Sequence, residues 1–371
     1  YSSGDYMIRF LYLPNSYQLG NGYQFGTGKS WTNGAYESSF GNSGVSWEKS
    51  AKQNYGIDFT LFNQKLSGSV DYFLEKRTNI LAQSNTDPVI HAMALPVLNL
   101  GEVSNKGVEV NLKWNHKINN FRYWANFNIS YAKNKIVYQD EVPSPYEYTL
   151  KTGHPVGQPF GLKVRGLYYE GMENVADHNY ILKPGDVVYE DLNGDEVIDD
   201  NDKTAIGYPN YPLLNGGFTI GFEYKGFDFS MMWSGATKTS RVLRDEFRTP
   251  AGGSNYRALL KYMYDDRWTE ETAATAKLPR ASIDGLNNNY RDSELWIKDA
   301  SYLRLKNIEL GYNFQLPFMK HIGMETLRVF ITGYNLLTLD KLKISDPESL
   351  NGNVPKYPVM RVVNFGVNVG F

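Results

Sequence analysis

Apolar and polar residues alternate with a period of two along many stretches of this chain, the pattern of strands with one face in an apolar medium. In residues 218–224, Phe218, Ile220, Phe222 and Tyr224 fall on one face, with Thr219, Gly221 and Glu223 on the other. After Lys225-Gly226, Phe227, Phe229, Met231 and Trp233 alternate with Asp228, Ser230, Met232 and Ser234, which predicts a hairpin with a two-residue turn. Residues 106–116 set Val108, Val110, Leu112 and Trp114 against Glu109, Asn111, Lys113 and Asn115, and beyond a short turn the alternation resumes from Phe121 to Tyr131. Residues 52–63 and 66–77 form a further pair, 325–334 another strand, and 361–371 a last one with Val363, Phe365, Val367, Val369 and Phe371 in phase. In 300–314 the phase slips: Leu303 and Leu305 occupy one parity, Ile308, Leu310, Tyr312 and Phe314 the other. That slip predicts a β-bulge near Lys306-Asn307 or a change of environment.

Connection lengths carry the reading from strands to architecture. The connections at 64–65, 117–120 and 225–226 are very short and 315–324 is moderate, whereas 14–51, 78–105, 237–299 and 335–360 are long. Loops beyond about 12–15 residues are uncommon in compact soluble domains, while outer-membrane barrels join strands by short periplasmic turns and long extracellular loops. Parity puts the end of strand 121–134 and the start of 213–224 on one side, so residues 135–212 form one large extracellular excursion, with 160–169 and 187–189 as a projecting hairpin. Residues 237–299 form another long extracellular loop. The expected fold is all-β, an antiparallel transmembrane β-barrel wall of about ten strands beginning at 6–13, each of roughly 10 residues.

Composition fits that expectation. Of 371 residues 42% are hydrophobic and 15% aromatic, a modest apolar share that a barrel can carry because only alternate strand residues meet lipid. A formal charge of -2 argues against nucleic acid, whose binders carry an excess of Lys and Arg. With no cysteine, disulfides, Cys-based zinc sites and thiol nucleophiles are excluded. No apolar run approaches a spanning helix, the nearest being the short 92–100 segment with Pro96 inside it. The opening Tyr1-Ser2-Ser3-Gly4-Asp5 lacks the features of a signal peptide, so the chain is read as a mature product or a fragment.

Candidate chemistry is sparse. Asp191, Asn193, Asp195, Val197, Asp199 and Asp202 match positions 1, 3, 5, 7, 9 and 12 of an EF-hand-type loop, a spacing that wraps hard oxygens around Ca²⁺. The match departs at Glu196, where such loops have glycine, and in the short Asp202 at the last position. Both a weak calcium site and an acidic turn-rich loop without an ion remain open. His91, His116, His154, His178 and His321 are scattered without metal-ligand spacing, and no nucleophile elbow is present, so no enzymatic activity is expected. Strand aromatics read as lipid-facing; the loop aromatics Tyr146, Tyr148, Tyr168, Tyr169, Tyr256 and Trp296 are candidates for ligand contact, partner contact or loop packing. Residues 257–268, with Leu259, Leu260, Met263 and Tyr264, read as a short amphipathic helix packing its own loop.

Several segments carry a family resemblance. They are Val70-Asp71-Tyr72-Phe73 with Arg77, Asn99-Leu100-Gly101-Glu102-Val103-Ser104-Asn105-Lys106-Gly107-Val108-Glu109-Val110, and Gly157-Gln158-Pro159-Phe160-Gly161. Further along come Gly185-Asp186-Val187 through Asp191-Leu192-Asn193-Gly194-Asp195, Asp266-Arg267-Trp268-Thr269, Tyr302-Leu303-Arg304-Leu305-Lys306-Asn307, Asn335-Leu336-Leu337-Thr338 and Tyr357-Pro358-Val359-Met360-Arg361. In this order the chain resembles the C-terminal half of SusC/RagA-type TonB-dependent outer-membrane transporters. The resemblance implies about the last ten strands of a 22-stranded barrel, 1–371 being its C-terminal part without the plug domain. It implies location in the cell outer membrane, a SusD-like surface lipoprotein as partner, energy supplied by the TonB complex through the plug, and an oligosaccharide or peptide as cargo. Phe371, aromatic and last on an amphipathic strand, matches the signal that barrel-assembly machinery reads. Two alternatives stay open: a self-contained ten-stranded outer-membrane barrel, and a calcium-stabilised surface β adhesin.

Overall fold

The computed structural model describes residues 16–27, 30–39, 42, 44–85, 97–250, 259–282, 288–348 and 359–371. The strand expected at 6–13 lies outside the described residues. In chain order the strands are β1 (Ser16–Phe25), β2 (Ser30–Ser39), β3 (Lys49–Leu61), β4 (Leu66–Gln83), β5 (Val97–Ile118) and β6 (Phe121–Tyr138), then β7 (Phe160–Gly161), β8 (Val164–Leu167), β9 (Val187–Tyr189) and β10 (Thr204–Ala205). They continue as β11 (Leu214–Tyr224), β12 (Phe227–Thr237), β13 (Ser240–Val242), β14 (Ile297–Asp299), β15 (Tyr302–Phe314), β16 (Thr326–Asp340) and β17 (Val362–Gly370), and the described residues include an α-helix, α1 (Lys261–Asp266).

Nine strands form one sheet in the order β17-β16-β15-β12-β11-β6-β5-β4-β3, a meander in which each wall strand bonds to the next wall strand in the chain. Short turns make this possible. Between β11 and β12, Lys225 and Gly226 both have positive φ, 47° and 90°, as the tightest hairpin turns require. Phe62, Asn63 and Gln64 turn the chain between β3 and β4 with φ of 56°, 52° and 67°.

Register then aligns side chains of one kind across the sheet. Phe121, Tyr224, Phe227, Tyr312, Val329 and Val367 are successive partners in one row. Tyr123, Phe222, Phe229, Leu310, Ile331 and Phe365 form the next. Ring pairs such as Phe222–Phe229, with centroids 5.5 Å apart, and Phe227–Tyr312, 4.5 Å apart, tie neighbouring strands within these rows. Phe121, Tyr224, Phe227 and Phe365 in these rows are exposed, Phe365 at 82%, and Tyr123, Phe222, Phe229 and Tyr312 are half-buried among their row neighbours, a surface that fits lipid. The opposite face carries Arg122, Trp124, Asn126, Glu223, Asp228, Glu309, Arg328 and Asn364.

The phase slip in β15 is a bulge. Met232 of β12 pairs with Asn307 while Trp233 pairs with Leu305, leaving Lys306 as the extra residue. The bulge puts Lys306 and Asn307 on one face, so Leu303 and Leu305 stay on the same side as Ile308, Leu310 and Tyr312. An apolar face that would otherwise cross from one side of the wall to the other is kept continuous.

The expected strand limits were too short for β4, β5, β6 and β16, which have 18, 22, 18 and 15 residues. At about 3.3 Å per residue, 22 residues extend roughly 70 Å, well beyond a hydrocarbon layer of about 30 Å even when tilted. Outside the lipid both faces are wet, so the ladder continues without apolar alternation to mark it. The described connection between β4 and β5 is correspondingly shorter than the expected 78–105.

The chain divides into two compact units, residues 1–53, 74–106 and 134–155, and residues 54–73, 107–133 and 156–371. In the first, Asp140, 8% exposed, accepts hydrogen bonds from Ser84 Oγ at 2.8 Å and the Asn85 amide at 3.0 Å. Asn99 donates to the carbonyls of Ser46 and Asn79, each at 2.8 Å. The second unit holds most of the wall and the two buried clusters described next.

Candidate functional site

The polar face of the wall carries a charged network built by strand geometry. Arg328 of β16 donates through Nε to Asp228 Oδ2 of β12 at 3.1 Å, and through Nη2 to Asp228 and to Glu309 of β15. It reaches across an intervening strand because Gly311 has no side chain there: a Cβ would lie 2.6 Å from Asp228 Oδ2 and 2.5 Å from Arg328 Nη2. Trp124 lies over Gly221 in the same manner, and Arg122 sits 5.7 Å from the indole centroid. Two grooves of about 440 and 600 Å³ run along this face, one lined by Lys113, Arg122, Trp124 and Glu223, the other by Trp124, Asp228, Asn313 and Arg328. Such a surface can offer hydrogen bonds and a ring face to a polar cargo.

The connection between β6 and β11 and that between β12 and β15 interlock. Since β6 pairs directly with β11, Leu214 opposite Tyr131, residues 139–213 leave the wall after β6 and rejoin it at the neighbouring strand. Within that connection β8 pairs with β9 and β7 with β10, so 164–167 and 187–189 form the expected antiparallel pairing. Leu162 is bracketed by the second connection, its amide donating to Asp292 O at 2.9 Å and its carbonyl accepting from Glu294 at 3.0 Å. Asp186, fully buried, is met by Arg280 Nε at 2.6 Å, by Asn289 Nδ2 at 2.8 Å and by the Lys183 amide at 2.8 Å. A buried carboxylate is tolerable only when paired and hydrogen-bonded in this way. Gly185, at φ 87°, lets Trp268 close over it, since a Cβ would fall 2.4 Å from the indole. Motifs 185–187 and 266–269, far apart in sequence, thus meet in space.

Two apolar clusters lie in these connections. Leu162, Val187, Tyr189 and Ile198 form one; Leu243, Phe247, Met263, Leu278, Tyr290 and Trp296 form the other. Trp296, considered above as a ligand contact, is 1% exposed and donates its indole N–H to Asn289 O at 2.8 Å, so it packs the loop. Of the helix expected over 257–268, residues 257–258 lie outside the described residues, and the described part is α-helical over α1, with Met263 buried and Tyr264 exposed. Tyr146 and Tyr148 stack on each other at 5.7 Å, Tyr169 is well exposed, and Tyr256 lies outside the described residues. Phe371 is exposed beyond the end of β17.

The acidic loop is closed by its own backbone. Asp191 accepts from the Gly194 amide at 2.7 Å and the Glu196 amide at 2.8 Å, and Asp195 from the Val197 amide at 2.9 Å. Buried Asp202 accepts from Leu192 and Asp199 amides at 2.8 and 2.9 Å, and Asp199 from the Asn201 amide at 2.6 Å. Asn193 Oδ1 accepts from the Asp195 amide at 3.1 Å. Among the described residues no group of three or more His, Asp or Glu is arranged to hold a metal ion. Glu196 nonetheless has φ 66°, the left-handed backbone that the sixth position of an EF-hand-type loop adopts, and Ile198 is buried.

A second buried charge cluster escaped the sequence reading. Arg304 of β15, 2% exposed, donates through Nη2 to both Asp346 oxygens at 2.9 Å, through Nε to Thr338 Oγ1 at 3.0 Å and through Nη1 to Glu348. Burial alone would raise the Asp346 pKa, but the Glu348 amide and the Arg304 guanidinium hold it below the usual carboxylate value. Its signal was the Arg304-x-Lys306 spacing beside the bulge, which places two cations on the polar face.

Comparison with known proteins bears on this arrangement. Residues 11–336 match the family model described as TonB dependent receptor-like, beta-barrel. TonB-dependent receptor P3 of Formosa agariphila is 27% identical over 367 residues, covering 91% of this chain and 36% of its own length. TonB-dependent receptor SusC of Bacteroides thetaiotaomicron is 26% identical over 344 residues, covering 89% and 32%. The chain therefore spans about a third of the length of these curated relatives. Among solved structures, that of the RagAB peptide transporter superposes with a TM-score of 0.71 at 23% identity, over 96% of this chain and 38% of that one.

His178 gives the interlocked connections a pH dependence. Its Nε2 accepts the Tyr189 amide at 3.0 Å and its Nδ1 lies 2.7 Å from Ala176 O, so the neutral ring serves both contacts. Burial lowers its pKa below the ordinary 6.5. With the folded value depressed, the unfolded state binds the proton first, and the stabilisation present above about pH 6.5 is lost as pH falls toward the folded value. The protection factor of the Tyr189 amide, its exchange rate corrected for the intrinsic pH dependence of amide exchange, is expected to fall from pH 7.5 to pH 5, and His178→Gln should flatten that fall. A pH-independent protection factor in the unaltered protein would remove the assignment.

Proposed function

Because the chain belongs to the TonB dependent receptor-like β-barrel family of the outer membrane, we propose that it forms part of the wall of an active importer of nutrient oligomers, oligosaccharide or peptide. In this reading a SusD-like surface lipoprotein is its partner, the long connections including 135–212 and 237–299 face outward, and TonB supplies energy through a plug domain. The observation that carries it is the division of one sheet into an unbroken apolar face and a face lined by Arg122, Trp124, Asp228, Glu309 and Arg328. The role proposed for that polar face is passage, in keeping with the family to which the chain belongs. Phe371 is assigned to recognition during barrel assembly. Membership in the family sets the surface-adhesin alternative aside.

Uptake of labelled oligosaccharides and peptides by cells carrying the full-length protein tests the proposal. Accumulation of one cargo class is expected to fall at least tenfold on deletion of the gene, on deletion of tonB and on collapse of the proton gradient, and a lipoprotein should co-purify. Uptake indifferent to tonB would contradict it.

We propose further that the 191–202 loop takes Ca²⁺ weakly through Asp191, Asn193, Asp195, the Val197 carbonyl, Asp199 and Asp202. The spacing of hard oxygens and the left-handed backbone at Glu196 support it. Calorimetric titration of the detergent-solubilised protein should show binding in the roughly 0.1–1 mM range of weak sites, abolished by Asp195→Asn. No heat at millimolar calcium would overturn it.

A further inference from the structure

Residues 341–348, which follow β16, form a strap tied to the polar side chains of β15. Its residues Asp346, Pro347 and Glu348 are gripped by side chains from two directions. From β15 come Arg304 and Lys306, the latter meeting both Glu348 oxygens at 2.8 and 2.9 Å, together with the Tyr302 hydroxyl, which donates to Glu348 Oε1 at 2.9 Å. From β13 comes Arg241, whose Nη2 donates to Pro347 O at 3.2 Å. Nearby, Lys341 Nζ pairs with Asp299 at 3.0 Å.

Two features set this cluster apart from an ordinary staple. Three cations surround residues 346–348: Arg304 and Lys306 pair with the carboxylates of Asp346 and Glu348, while Arg241 donates to the Pro347 carbonyl and meets no carboxylate directly among the described residues. Arg241 is 8% exposed, and its Nε has no hydrogen-bond partner among the described residues. A buried guanidinium with an unused donor is costly unless an anion completes it. The two carboxylates also differ: Arg304 holds Asp346 deep, with 10% of its side chain exposed, whereas Glu348 and Lys306 are 27% and 29% exposed and form the open edge.

We propose that Arg241, Arg304 and Lys306 form an anion subsite on the polar face of the barrel, that Glu348 is its exchangeable built-in occupant, and that a carboxylate group of the cargo displaces Glu348. The inference rests on the import reading and narrows it to acidic oligomers. The exchange replaces one carboxylate by another at the same donors, so no charge is left buried and unpaired. Displacement of Glu348 loosens the strap while Asp346 keeps it tethered to Arg304.

Equilibrium binding to the full-length protein in detergent tests the subsite without requiring transport, so its failure is distinguishable from failure of the import reading. The probes are tetraglutamate and tetragalacturonate, with tetraglutamine and maltotetraose as neutral counterparts, and the two acidic probes separate peptide from glycan cargo. At least one acid is expected to bind tenfold or more tightly than its neutral counterpart, and Lys306→Gln should erase that margin. Glu348→Gln should tighten binding of the acid severalfold, because it removes the competitor; a mere staple would weaken binding or leave it unchanged. Equal affinity for acidic and neutral probes, or no tightening in Glu348→Gln, overturns the proposal.

Discussion

A wall in lipid must pair every backbone N–H and C=O within the sheet, because the hydrocarbon offers no partner. From that constraint the rest follows. Strands must run as an unbroken ladder, side chains must alternate between lipid and interior, and any register error would carry a charged face into the membrane. The bulge at Lys306 shows how the constraint is met where sequence parity changes: one extra residue is absorbed so that Leu305 and Ile308 remain on the same side.

The polar face, freed from contact with lipid, is where charge can be concentrated. Arg328 spans an entire strand to reach Asp228 because Gly311 leaves room, and Arg304 fixes the strap through Asp346 and Glu348. The connections obey the opposite rule. With only the short ladders of β7–β10, β8–β9 and β13–β14, they are held mainly by buried clusters around Trp296 and Tyr189 and by the Asp186 carboxylate, which draws donors from Lys183, Arg280 and Asn289.

What could be read from sequence divides along the same line. Period-2 alternation marks residues only where one face meets lipid, so the hairpin at Lys225-Gly226 and the slip near Lys306 were legible, while the far ends of β4, β5 and β6 were not. Alternation and connection lengths already pointed to a barrel, the family resemblance named its kind, and its motif residues proved to be contact points, as with Gly185 against Trp268. Pairings such as Asp186 with Arg280, 94 residues apart, leave no local signature. Trp296 looked like any loop aromatic, and only its packing assigns it to a core.

The two-faced wall is the central claim, and cysteine scanning addresses it directly because this chain contains no cysteine of its own. Single cysteines placed in turn at positions 227 to 234 of β12 would be reacted in native membranes with a water-soluble maleimide and with a lipid-soluble one. The account predicts strict alternation, the lipid-soluble reagent favouring 227, 229, 231 and 233 and the water-soluble one 228, 230, 232 and 234. Uniform labelling by the water-soluble reagent at both parities would contradict it.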